Sequence, residues 1–150
     1  MRYCFLVLLA IFIACGTSKK ESPELHEAGE IHEQAMAIEK DMKAQFEQLV
    51  QIKNSINVQG RMLTAAEIAF VEQVEAIESS YHFWEENHVE VPGHEHGEHE
   101  HADQDHDHAA KLELTPTDML AVQREFRDSI VVIKQRVEMA LQTAKTIGNR

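Results

Sequence analysis

Thiols are almost absent from this chain of 150 residues: its two cysteines, Cys4 and Cys15, both stand at the very start. From residue 16 onward nothing can close a disulfide, build a Cys-type zinc site or act as a sulfur nucleophile, so a fold there must hold by packing alone. Prolines and glycines are few, three and six, and apart from Gly29 they sit where periodic patterns start or stop, or outside them. The apolar run Cys4–Ala14 covers eleven residues, whereas a membrane-spanning helix needs about 20. Positive charge is short as well. With 14 Lys+Arg against 26 Asp+Glu the formal net charge is −12, which repels a polyanion and excludes nucleic acid as a partner. A His-Glu-x-x-His motif is missing too: His26-Glu27-Ala28-Gly29-Glu30 has Glu where the second ligand should stand, and His32-Glu33 is followed by Gln34-Ala35-Met36. With no nucleophile, cofactor loop or rigid ligand set in view, the chain is not expected to be an enzyme.

What the chain does have is histidine among acids. Residues 94–108 hold six imidazoles, His94, His96, His99, His101, His106 and His108, and six carboxylates, Glu95, Glu98, Glu100, Asp103, Asp105 and Asp107. No apolar residue there is larger than Ala102, so the stretch cannot form a core. In an extended backbone residues i and i+2 point to one side, which lets both imidazoles of each His-x-His step reach one cation. Pro92, Gly93 and Gly97 favour that state over a helix. Imidazole with carboxylate suits Zn²⁺ best, then Cu²⁺ or Ni²⁺. The six histidines are the expected ligands, with His88 and the six carboxylates in reserve. A run of redundant ligands suits chelation and not catalysis, which needs a few ligands held by a rigid surround.

The start of the chain reads as a targeting signal. Arg2 precedes the apolar run, which ends at Phe12-Ile13-Ala14-Cys15 followed by Gly16, a pattern that resembles the lipobox of bacterial lipoproteins. That resemblance implies a signal peptide over 1–14, a diacylglyceryl thioether and further acylation at Cys15, and a tether over 15–22. Several acyl chains on one residue make anchoring stable. The resemblance places the rest of the chain outside the cytoplasm on the bacterial envelope, at the periplasmic face or the outer membrane.

Three amphipathic helices follow. Ser22-Pro23-Glu24 reads as N-cap, first-turn proline and first-turn acid. Beyond it one apolar row runs Ala28, Ala35, Met42, Leu49, Ile56 and a second Ile31, Ile38, Ile52, a seven-residue repeat over about 24–57. Gly29 is where the start of this helix would fray. A capping box at Thr64-Ala65-Ala66-Glu67, with Leu63 and Ile68 as a staple, opens a second helix over 65–90. Its stripe is Leu63, Phe70, Val74, Ile77, Tyr81 and Trp84, continued by His88 and Val91 until Pro92. Thr115-Pro116 opens a third helix over 116–147 with the row Met119, Val122, Phe126, Ile130, Ile133, Val137, Leu141 and Ala144. The expected fold is all-α, an antiparallel three-helix bundle over 23–150 with a long disordered loop at 91–114; a dimeric six-helix arrangement is the alternative. Up-down-up topology sets the tether and the loop at one end. The methionines Met36, Met42, Met62, Met119 and Met139 read as core residues rather than copper ligands. Of other histidines, His26 with Glu30 and His82 with Glu78 or Glu86 stand at i,i+4 spacing, usually a solvated face, and Glu85-x-x-His88 lacks the second copy that a di-iron site needs.

The stretch Ile31-His32-Glu33-Gln34-Ala35-Met36-Ala37-Ile38-Glu39-Lys40-Asp41-Met42 resembles small bacterial lipoproteins labelled viral A-type inclusion protein. That implies a helical envelope lipoprotein and no particular mechanism. The histidine tract resembles the His- and acid-rich loops of periplasmic zinc-binding transport proteins, whose α/β fold this chain does not share. Two functions are therefore expected to compete. One is a lipid-anchored protein that buffers or delivers Zn²⁺, Cu²⁺ or Ni²⁺; the other is a non-enzymatic adaptor that binds an envelope protein or a second copy of itself, its loop incidental.

Overall fold

The computed structural model describes residues 22–57, 60–93 and 114–148. These residues form three α-helices and no strand: α1 Pro23–Asn57, α2 Ala65–Glu86 and α3 Pro116–Gly148. None is long and apolar enough to cross a membrane. Residues 1–21, over which the signal peptide, the lipid site Cys15 and most of the tether are expected, lie outside the described residues, as does the tract from His94 to His108.

Each helix starts where its cap residues say it should. Ser22 Oγ accepts the N–H of Leu25 at 3.1 Å ahead of α1. Thr64 and Glu67 form the reciprocal capping box of α2, and Thr115 Oγ1 accepts the N–H of Asp118 at 3.2 Å ahead of α3. Gly29 does not fray α1, because it lies buried within the helix between Ala28 and Glu30. The expected staple across the α2 cap is loose. Leu63 is half-buried against the core, but Ile68 is exposed. Past α1, Gly60 takes φ +66°, the left-handed conformation that glycine alone adopts without strain.

The apolar rows close into one main core. Ala35, Met42, Leu49 and Ile56 of α1 meet Phe70, Val74, Ile77, Tyr81 and Trp84 of α2 and Phe126, Ile130, Ile133, Val137 and Ala140 of α3. Cross-helix partners show the running order. Tyr81 donates to Glu39 at 2.5 Å and Lys53 to Glu78 at 2.5 Å, so α2 numbers fall as α1 numbers rise; Arg136 reaches Ser80 and Trp84 reaches Phe126, so they fall along α3 as well. Burial first, then the bond to Glu39, pushes the Tyr81 phenol well above its usual range. Two of the five methionines expected inside are outside: Met62 is 94% exposed and Met139 55%. Met62 precedes the α2 cap, and Met139 lies between the inward positions Val137 and Ala140 on the outer side of α3.

α2 stops at Glu86, four residues short of the expected end. Asn87 caps it, with backbone N–H and side-chain Nδ2 both donating to the Phe83 carbonyl. Pro92 bars the helix from passing residue 91, since it has no N–H to give to residue 88 and drives Val91 toward an extended backbone, but the stop at Glu86 comes earlier, at the Asn87 cap. Residues 88–91 run as a non-helical strap. Val91 is buried all the same, in a second cluster with Ala28 and Ile31 of α1 and Met119 and Leu120 of α3. The starts of α1 and α3 and the strap thus share one end of the molecule. From there the chain leaves at Gly93, φ +88°, and returns at Leu114.

Candidate metal centre

At that end three potential ligands converge from two parts of the chain. His32 stands four residues after Ala28 and three before Ala35, so helical spacing turns it inward with them, and it is fully buried. His88 and Glu90 belong to the strap, where residues two apart point to one side. Both face His32. The ligand atoms of the three lie within 4.8 Å of one another, the only such group among the described residues.

The distances fit a shared cation as well as a hydrogen bond between the two rings. His32 Nε2 and His88 Nε2 are 3.4 Å apart. Two nitrogens bound to one Zn²⁺ at about 2.0–2.1 Å in a tetrahedron stand about 3.4 Å apart, whereas cis positions of an octahedron with the same bonds would be about 2.9 Å apart. The carboxylate sits slightly farther off, with Oε1 3.6 Å from His88 Nε2 and Oε2 4.0 Å from His32 Nε2. Glu90 is half-exposed, so its side chain is less confined by packing than His32. Three protein ligands would leave a fourth position for water or another donor.

The surround is apolar on one side and hydrogen-bonded on the other. His32 stacks on His88 with centroids 5.0 Å apart and lies nearly parallel to Phe126 at 6.1 Å. His88 packs on the same Phe126 ring at 5.5 Å. On the opposite edge of His32, Nδ1 lies 3.1 Å from Oε1 of Gln123, a fully buried residue of α3. The Gln123 Nε2 donates to the Val89 carbonyl at 2.6 Å. Such a shell restricts how the imidazole turns and limits the access of water.

Of the ligands expected from sequence, His94, His96, His99, His101, His106 and His108, with Glu95, Glu98, Glu100, Asp103, Asp105 and Asp107, lie outside the described residues. His88, held in reserve there, is part of the cluster. The i,i+4 pairs His26–Glu30 at 3.6 Å and His82–Glu86 at 3.2 Å are solvated surface pairs. Glu78 pairs with Lys53 and His82 with Glu86. Glu85 and His88 do not share a helix, since α2 ends between them.

Sequence reasoning missed His32, Glu90 and Gln123. A signal was there. His32 falls on the buried row of α1, and Gln123 stands four residues after Met119 and three before Phe126 on that of α3. Polar side chains at inward positions call for buried partners. Nothing local says that the two meet.

No protein-family model, curated protein or solved structure matches the chain. The described residues form an all-helical fold with one His–His–carboxylate group whose ligand atoms lie close enough together that they could share a metal ion.

Proposed function

We propose that this chain is an envelope-anchored, non-enzymatic lipoprotein that binds a divalent transition metal, Zn²⁺ before Cu²⁺ or Ni²⁺, for buffering or delivery. Its architecture is an antiparallel three-helix bundle, supported by the falling order of cross-helix partners and by the core shared among all three helices. Lipid attachment at Cys15 rests on the lipobox resemblance. The metal reading rests on one observation above the rest: His32 and His88, distant in sequence, bring their Nε2 atoms to tetrahedral spacing beside the Glu90 carboxylate.

Two kinds of binding place follow. The fixed centre would hold one ion in a partly dry setting. The tract, whose first histidine stands four positions after Glu90, would collect further ions through interchangeable pairs. Because only three residues separate Glu90 from His94 in the chain, transfer of an ion between tract and centre is part of this reading.

Calorimetric titration of the full chain with Zn²⁺ tests this. Wild type is expected to take more than one ion. A variant with the six tract histidines changed to Ala should keep one, and adding His32→Ala with His88→Ala should remove that one. If the sixfold variant binds no Zn²⁺, the fixed centre is not a metal site; if wild type binds none, the whole metal reading fails.

A further inference from the structure

Gln123 touches both halves of the centre without offering it a ligand. Its Oε1 meets His32 Nδ1 on α1 and its Nε2 meets the backbone carbonyl of Val89, the residue between His88 and Glu90 on the strap. From this juxtaposition we propose that Gln123 is the positioning residue of the centre: it selects the tautomer in which His32 presents Nε2 to the metal, and it ties that choice to the strap carrying the other two ligands. The inference rests on the metal reading above.

The chemistry runs in one direction. A backbone carbonyl can only accept, so the group 2.6 Å from Val89 O must be the Gln123 amide nitrogen. The reverse orientation would press two carbonyl oxygens together in a buried place. The 3.8 Å approach of the same nitrogen to Met119 Sδ, a weak acceptor, agrees with this orientation. Oε1 is then turned toward His32, and an amide oxygen also only accepts. The 3.1 Å contact is a hydrogen bond only when His32 carries a proton on Nδ1. In the neutral ring that leaves the lone pair on Nε2, the atom facing His88 and Glu90.

Gln123 and Val89 also set the distance between the halves. If the strap shifts away from α3, the amide loses its acceptor and is free to turn, and His32 loses its fixed tautomer with it. Ligand placement on α1 and on the strap therefore depends on one buried side chain of α3. Partners that orient ligating histidines are commonly worth about 10–100-fold in metal affinity.

The test uses the full chain with the six tract histidines changed to Ala, so that only the fixed centre is titrated. It is compared with the same chain carrying Gln123→Met or Gln123→Glu. Met is near in length and offers no acceptor of comparable strength. Glu keeps an acceptor for Nδ1–H, and in its neutral form its hydroxyl can serve Val89. In the metal-free parent, long-range ¹H–¹⁵N spectra are expected to show His32 protonated on Nδ1 and bare on Nε2. Gln123→Met should mix the tautomers and weaken Zn²⁺ binding about 10–100-fold, and Gln123→Glu should restore most of both. A parent with His32 protonated on Nε2, or a folded Met variant that binds Zn²⁺ like the parent, overturns the role of Gln123 alone. A parent with the expected tautomer and no Zn²⁺ binding overturns the metal reading, leaving Gln123 a purely structural partner. Should the Met variant not fold, the parent tautomer decides: a proton on Nδ1 supports the role and a proton on Nε2 overturns it.

Discussion

Trp84 and Phe126 are joined twice: the indole Nε1 donates to the backbone carbonyl of Phe126 at 3.0 Å, and the two rings stack with centroids 4.2 Å apart. The same Phe126 ring packs against His32 and His88. The main core and the candidate metal centre therefore share a wall, and a change in one is felt in the other.

Trp84→Phe keeps an aromatic ring and loses the hydrogen bond, so it should cost about 0.5–1.5 kcal/mol from that bond plus a smaller packing loss. Trp84→Ala should cost about 3–5 kcal/mol. Urea unfolding followed by circular dichroism measures both. Near-equal costs would mean that the ring stack contributes little.

Leu49 and Ile133 lie in the main core at 0% and 4% exposure, while Val132, next to Ile133, is 53% exposed. Leu49→Ala and Ile133→Ala should each destabilise by about 2–5 kcal/mol, and Val132→Ala should stay within about 0.5 kcal/mol. All three are to be measured without metal and in the presence of a chelator. Loss of the helical signal on adding chelator to wild type would show that the core depends on the metal.

Glu67 at the start of α2 accepts from the Arg61 guanidinium, and from the Thr64 N–H at 2.8 Å and the Thr64 hydroxyl at 2.9 Å. Arg61 first, then Thr64, holds its carboxyl at about 2 against an ordinary 4.5. The folded state thus favours the carboxylate, and its contribution is whole above the ordinary value and fades as pH falls from there toward about 2. Tm scans across that window should show a shallower acid-side decline for Glu67→Gln than for wild type. Parallel declines would mean that this carboxylate does not contribute to acid lability.

Cys15→Ser replaces sulfur by an oxygen on which the lipobox pathway forms no thioether. Metabolic labelling with a fatty acid in a bacterial host should mark wild type and not the variant. A labelled variant, or a wild-type mature N-terminus at another residue, would remove the lipoprotein assignment.

Much of the fold is legible from residues near one another in the chain. The caps at Ser22, Thr64 and Thr115, the prolines at the first turn of α1 and α3, and the heptad rows of α1 need only the helical period, and the helix starts follow them. Apolar periodicity alone over-extended α2. It follows a face and does not register where backbone hydrogen bonds fail, and Val91 is buried from an extended strap rather than from a helix.

What only the tertiary structure decided is which polar residues meet. Gln123 reaches His32 across 91 positions and His88 reaches His32 across 56. No spacing rule spans such separations, because they are set by how three helices stack and where the strap lies down. The sequence by itself determined the helices, their inward rows and the composition of the tract, since these depend on local backbone geometry and on residue type. The convergence of His32, His88 and Glu90, with Gln123 behind them, came from packing: a buried polar side chain must find its partner in space, and the fold decides who that partner is.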